Sequence, residues 1–145
     1  MDASQIVINT PKELAAMIEG RSDAEINEAV TALGLDTALQ KVFEGMTKAF
    51  LPDQAKGQTA VIQWDIQASG ATTTYQVKVD GGACSFSKGA ADKPRVTLNA
   101  ALPDFLRLIT GKANGQQMFF SGKLKLAGDM MFAMTQEKWF DKNMG

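Results

Sequence analysis

A two-layer α+β fold is what this sequence predicts, and three observations predict it. The spacing of apolar residues changes from three and four residues before residue 60 to strict alternation after it. Every alternating segment keeps one polar face. The first of these segments are joined by short, glycine-bearing links of the kind that close hairpins. One face of the sheet is then wet, and all helices cover the other. A doubly wound α/β fold would show continuously apolar strands buried on both sides.

The helices come first. "TPKE" at 10 to 13 sets Thr10 as an N-cap, Pro11 at the first helical position and Glu13 where a capping box wants it, and "SDAE" at 22 to 25 repeats the pattern with Ser22 and Glu25. Leu14, Met17 and Ile18 form the apolar stripe of the first helix and Ile26, Val30 and Leu33 that of the second, with Gly20 and Gly34 as stops. A third helix, about 36 to 51, carries Leu39, Val42, Phe43, Met46 and Phe50, and Pro52 is expected to end it.

Five strands follow. "VIQWDIQ" turns Ile62, Trp64 and Ile66 to one side, "TYQVKVD" does the same with Tyr75, Val77 and Val79, and "ACSFS" with Cys84 and Phe86. "RVTLNA" contributes Val96 and Leu98, and "KLKLAG" contributes Leu124 and Leu126. The links "ASGAT" and "GG" at 81 and 82 make the first three strands an antiparallel meander. Thr74, Gln76 and Lys78, Ser85 and Ser87, Arg95, Thr97 and Asn99, and Lys123 and Lys125 form the polar face. Between the fourth and fifth strands "LPDFLRLITG" is a helix with Phe105, Leu106, Leu108 and Ile109, begun near Pro103 and stopped at Gly111, and "NGQQMFFSG" adds a short apolar turn.

The 145 residues suffice for one domain with its own core. A single cysteine, no charged-then-apolar leader and no long apolar run lead us to expect a reduced, soluble, cytoplasmic protein. The net charge of −1 offers no general attraction to nucleic acid. Charge is uneven, however: residues 1 to 36 hold seven acids against two bases. That contrast puts a boundary near 35, between an acidic helical extension (1–35) and the main domain (36–145), the extension reading first as a solvated helical surface.

Conventional catalytic chemistry is hard to find. The absence of histidine removes the commonest general base and metal ligand together. The carboxylates are scattered, and Cys84 falls on an inward strand face beside Phe86, as a small core residue would. "GQQMFFSGK" fails as a phosphate loop, because six residues separate Gly115 from Gly122 and Leu124 stands where a hydroxyl is needed. No motif calls for a metal or another cofactor. What stands out is a soft apolar C-terminal third, in which Met118, Met130, Met131 and Met134 alternate with Phe119, Phe120, Phe132, Trp139 and Phe140. Flexible, polarisable Met side chains suit a cavity whose occupant varies, and equally suit plain core filling.

"FFSGKLKLAGDMMFAMT", together with "RVTLNAALPDFLRLITGKANGQQMFFSG" and "VIQWDI", resembles the sterol carrier protein 2 (non-specific lipid-transfer) family over about 36 to 140. The resemblance implies a five-stranded, mostly antiparallel sheet in the order 3-2-1-4-5, with helices over one face and a hydrophobic tunnel between. It implies a carrier and not a catalyst, with a fatty acid, fatty acyl-CoA, phospholipid or sterol-like ligand. Carried over residue by residue, Trp64 would floor the tunnel, Phe105, Ile109, Met118, Phe119 and Phe120 would wall it, and Met130, Met131 and Met134 would form a lid, with Trp139 and Phe140 completing the lipid-binding set. Lys112 is the candidate head-group partner. Transient contact with a membrane or a partner enzyme, and a homodimer, are compatible with such a module. The ending "KNMG" lacks the peroxisomal address of some eukaryotic members, which favours a cytoplasmic, bacterial setting. The alternative is a protein–protein interaction or dimerisation module using the apolar C-terminal surface. An acyl-thioester enzyme relying on an Asp or Tyr75 is the weakest reading.

Overall fold

A computed structural model describes residues 16, 18–68, 70–110 and 112–140. The expected caps Thr10, Pro11 and Glu13, the stripe residues Leu14 and Met17, and the stop at Gly111 lie outside the described residues; Ile18 is buried. Helix α1, Asp23–Leu33, opens on the anticipated capping box: the Glu25 N–H donates to the Ser22 hydroxyl (3.2 Å) and the Ser22 N–H to Glu25 Oε1 (3.1 Å). Hydrogen bonds from the Ser22 backbone and hydroxyl hold the Glu25 carboxyl below its ordinary pKa. Ile26 and Val30 turn inward and join the same core as the rest of the described chain. The chain reverses at Gly34, whose φ of 93° few other residues tolerate, and enters α2, Leu35–Lys48.

Helix α2 buries Leu39, Val42, Phe43 and Met46, but it ends at Lys48, before Phe50. Pro52 does not stop it. With no N–H to contribute, Pro52 takes the first position of a short helix α3, Pro52–Ala55. Phe50 instead pairs with Phe140 in an isolated antiparallel bridge, and the Leu51 N–H donates to the Trp139 carbonyl (2.6 Å). The end of the described chain is thereby tied to the segment after α2.

The five strands are β1 Ala60–Ala68, β2 Ala71–Asp80, β3 Ala83–Lys88, β4 Val96–Ala101 and β5 Leu124–Gly128. They form one sheet in the order β3-β2-β1-β4-β5, in which only β1 and β4 run parallel. Gly81 and Gly82 both have positive φ, as the two-residue turn between β2 and β3 requires. Alternation is clearest on β1, where Ile62, Trp64 and Ile66 are buried and Gln63 and Asp65 are only half-covered. The outer face does more than meet water. Gln63 Oε1 accepts from the Ala91 N–H, and Gln76 Nε2 approaches the carbonyls of Gly89 and Ala90. The link from β3 to β4 is thus fastened across the outer side of β1 and β2.

Helices α4, Leu102–Ile109, and α5, Gly115–Phe120, connect β4 to β5; α6, Met130–Gln136, and a 3-10 turn, Glu137–Trp139, close the fold. Helix α4 buries Leu102, Phe105, Leu106 and Leu108. Asn114 caps α5 by accepting from the N–H groups of Gln116 and Gln117. Arg107 on α4 reaches Asp23 of α1 (2.6 Å) and Asp104 of its own helix (3.5 Å), and so joins the acidic N-terminal segment to the helical layer.

Candidate functional site

The inner face of the sheet is an aromatic floor. Trp64 on β1 lies directly across from Tyr75 on β2 and is level with Leu98 on β4. Period-two alternation turns all three side chains inward, and all three are buried. Above them the helical layer supplies two more rings. Phe43 of α2 stacks on Tyr75 with centroids 4.7 Å apart, and Phe105 of α4 meets the Trp64 ring edge-on at 4.9 Å. Phe43 also contacts Phe105 at 5.5 Å and Phe86 at 5.9 Å, which makes it the hub of the group.

Polar atoms inside this apolar block are few. Trp64 Nε1 and the Tyr75 hydroxyl are buried with no hydrogen-bond partner among the described residues. Burial, and after it the charge of Asp36, raise the Tyr75 pKa, while Lys88 works in the opposite direction. Cys84 packs at the margin of the core as a half-buried residue, and burial pushes its thiol up to about 12. A thiol so hard to ionise is no nucleophile at neutral pH.

The segment after β5 is set by a compact knot. Gly128, with φ 100°, presses against the preceding strand, and a Cβ there would sit 2.6 Å from the Arg95 carbonyl oxygen. The Asp129 N–H donates to that same oxygen (3.0 Å). The Asp129 carboxylate accepts from the Phe132 N–H (2.9 Å) at the start of α6 and pairs with Arg95 (3.3 Å), whose guanidinium lies 4.2 Å from the Phe132 ring centre. The Phe132 N–H, and after it the Arg95 side chain, hold the Asp129 carboxyl below its ordinary pKa.

The sign of the resulting pH dependence follows. A carboxylate whose pKa is lowered on folding contributes stability above its unfolded pKa, and that contribution is lost as pH falls through the lower folded value. We predict that acidification loosens the start of α6. The Phe132 amide proton should titrate below the ordinary carboxylate range in the native protein, and Asp129→Asn should remove that transition.

The knot decides which way α6 faces. Phe132, Ala133 and Gln136 turn to the core, with Phe132 edge-on to Trp139 at 5.2 Å. Met130, Met131 and Met134, expected to sit over a tunnel, stand at the surface, Met131 with 82% of its area exposed. The predicted ligand-contact set therefore divides. Trp64, Phe105, Met118, Trp139 and Phe140 are interior, Ile109 and Phe119 are half-buried, and Phe120 is 77% exposed. Lys112 lies 4.0 Å from Glu19, so its charge has a protein partner.

Phe43 and the Arg95–Asp129 pair are site residues that sequence reasoning did not single out, and Tyr75 entered it only as a catalytic candidate and not as a partner of Trp64. For Tyr75 a signal existed. Alternation puts both residues on the inner face, and the register that pairs Ala68 with Ala71 sets residue 75 against residue 64.

Comparison with known proteins bears on this arrangement. The model of the SCP-2 sterol transfer family matches residues 39–141. Sterol carrier protein 2 of Homo sapiens is 43% identical over 65 residues, covering 45% of this chain and 12% of that protein. Hydroxysteroid dehydrogenase-like protein 2 of Bos taurus is 28% identical over 102 residues, covering 70% of this chain and 24% of that one. The chain thus corresponds to a minor part of each of these relatives. Among solved structures, Sterol Carrier Protein 2 Like 2 from Aedes aegypti superposes with a TM-score of 0.59 at 19% identity, covering 72% of this chain and 98% of that one. That likeness establishes the shared fold.

Proposed function

Because the chain belongs to the SCP-2 sterol transfer family, we propose that it binds and carries a lipid, a fatty acid, fatty acyl-CoA, phospholipid or sterol-like molecule, between its sheet and helical layer, without catalysing a reaction. The observation that carries this reading is the exposure of Phe120, Met130, Met131 and Met134 on the two short helices that flank β5. Elements serving only to seal a core would turn such residues inward, whereas soft apolar side chains at the surface suit a mouth that meets lipid. Trp64, Phe105, Ile109, Met118 and Phe119 would line the path inward, with Trp139 and Phe140 at its base. The rings of Trp64 and Phe105 touch, so a ligand enters by parting the helical layer from the sheet. Residues 36–145 would form the binding domain and residues 1–35 an extension, of which Asp23 meets Arg107.

Affinity needs no elaborate polar constellation. About twelve buried methylenes supply on the order of 10 kcal/mol at about 0.8 kcal/mol each. Association and chain ordering remove several kcal/mol, leaving roughly micromolar binding. Lys112, released from Glu19, would face an anionic head group. The half-buried, un-ionised Cys84 thiol fits a reducing cytoplasm, and exposed methionines would contact the membrane or enzyme that loads the carrier.

The test is uptake of a fluorescent fatty acid by delipidated protein. Wild type is expected to bind with roughly micromolar affinity. The double variant Met130→Glu/Met134→Glu should lose uptake while its far-ultraviolet dichroism is unchanged, since both side chains already meet solvent. Folded wild-type protein that takes up no lipid would overturn the proposal.

A further inference from the structure

Two hydrogen-bonding groups are stranded in the middle of the aromatic floor. Trp64 is 2% exposed and Tyr75 is 0% exposed, yet Trp64 Nε1 and the Tyr75 hydroxyl have no partner among the described residues. Buried polar groups are nearly always satisfied, and leaving one unmet is unfavourable enough that each such case needs an explanation. The two sit opposite each other on adjacent strands and face the same side. Their rings belong to one cluster, Trp64 against Phe105 and Tyr75 against Phe43, with Phe43 and Phe105 in contact. The other stranded atoms, Asn27 Oδ1 and Gln136 Oε1, are acceptors on α1 and α6, and neither serves these two groups.

The chemistry of the missing partner is restricted. An indole N–H can only donate, so the partner must accept, and a phenol can donate to that same kind of atom. A plain hydrocarbon leaves both groups unmet. An ionised carboxylate is also a poor fit. The cation whose charge acts on Tyr75, Lys88, is engaged with Asp36 at 2.8 Å, and the Asp36 charge opposes a second anion. A neutral oxygen satisfies every condition.

We propose that the Trp64–Tyr75 pair is an internal subsite for a neutral oxygen, a hydroxyl or carbonyl, borne on the buried portion of the carried lipid. The inference rests on the lipid-carrier reading and adds selectivity to it: oxygenated apolar ligands are preferred over pure hydrocarbons of the same length.

The full chain, delipidated and labelled with nitrogen-15, is loaded from cyclodextrin with 1-hexadecanol or with n-hexadecane. The chain has two tryptophans, and Trp64→Phe assigns the Trp64 indole resonance. Hexadecanol is expected to move the Trp64 indole proton downfield and to bind about tenfold more tightly than hexadecane. Trp64→Phe and Tyr75→Phe should each shrink the hexadecanol-to-hexadecane affinity ratio. Tyr75→Phe removes one oxygen only, and its affinity ratio is read without the indole assignment, so failure of Trp64→Phe to fold leaves the test intact. Equal affinity for the two ligands, a ratio undiminished in Tyr75→Phe, or an indole proton already hydrogen-bonded in the empty protein and unmoved on loading would each overturn the subsite alone. Failure to bind either ligand would remove the carrier reading as well.

Discussion

Phe43→Ala is expected to lower the unfolding free energy by about 3–5 kcal/mol, the range for emptying a fully buried aromatic site. The native protein holds only about 5–15 kcal/mol, so this variant approaches the limit of foldability. Phe43 has no exposed area and touches Tyr75, Phe86 and Phe105 at once. Its removal leaves a void at the junction of sheet and helical layer that three neighbours cannot fill together. Urea denaturation should show a lower midpoint with an unchanged slope, and Phe43→Leu should retain a good part of the loss. Equal midpoints for Phe43→Ala and wild type would refute the hub assignment.

Gly128→Ala is expected to destabilise by about 2–4 kcal/mol although it adds a single methyl group. Two penalties coincide. The φ of 100° is unfavourable for any residue with a Cβ, and the new atom would lie 2.6 Å from the Arg95 carbonyl oxygen and 3.2 Å from the Val96 Cα. Both neighbours are backbone, and neither can swing aside as a side chain would. Relief requires β5 to move from β4, which loosens the Asp129 and Arg95 contacts that seat α6. Thermal unfolding should report the loss, with weakened dispersion of the Trp139 indole as its local sign. Gly122→Ala is the control, because its φ of 81° is also positive but nothing lies near its Cβ position.

The layered plan was legible because alternation and helical spacing are statements about faces, and the faces were consistent. Ile62, Trp64 and Ile66 alternate without interruption, and the Ser22–Glu25 box marks a helix start by chemistry alone. Strand order came only through family resemblance, since the parallel pairing of β1 with β4 leaves no local signal. Pro52 was misread because a proline after a helix is ambiguous: it can end one element or begin the next, and here it begins α3. Composition singled out the methionines of α6, but which way they face is a matter of phase. Taking Asp129 as the cap turns 132, 133 and 136 inward and leaves 130, 131 and 134 outside. The two stranded donors could not be foreseen, because whether a buried atom has a partner depends on three-dimensional neighbours.

The parallel pairing of β1 with β4 has a consequence for how the chain reaches its native state. The meander β1-β2-β3 closes through near neighbours, but the other border of β1 must wait for Val96, which pairs with Ile62 from far along the chain. Until then a ribbon rich in Ile and Trp offers open amide and carbonyl groups to any passing strand. During synthesis or refolding that unfinished seam, and not the finished surface, is where clumping would begin.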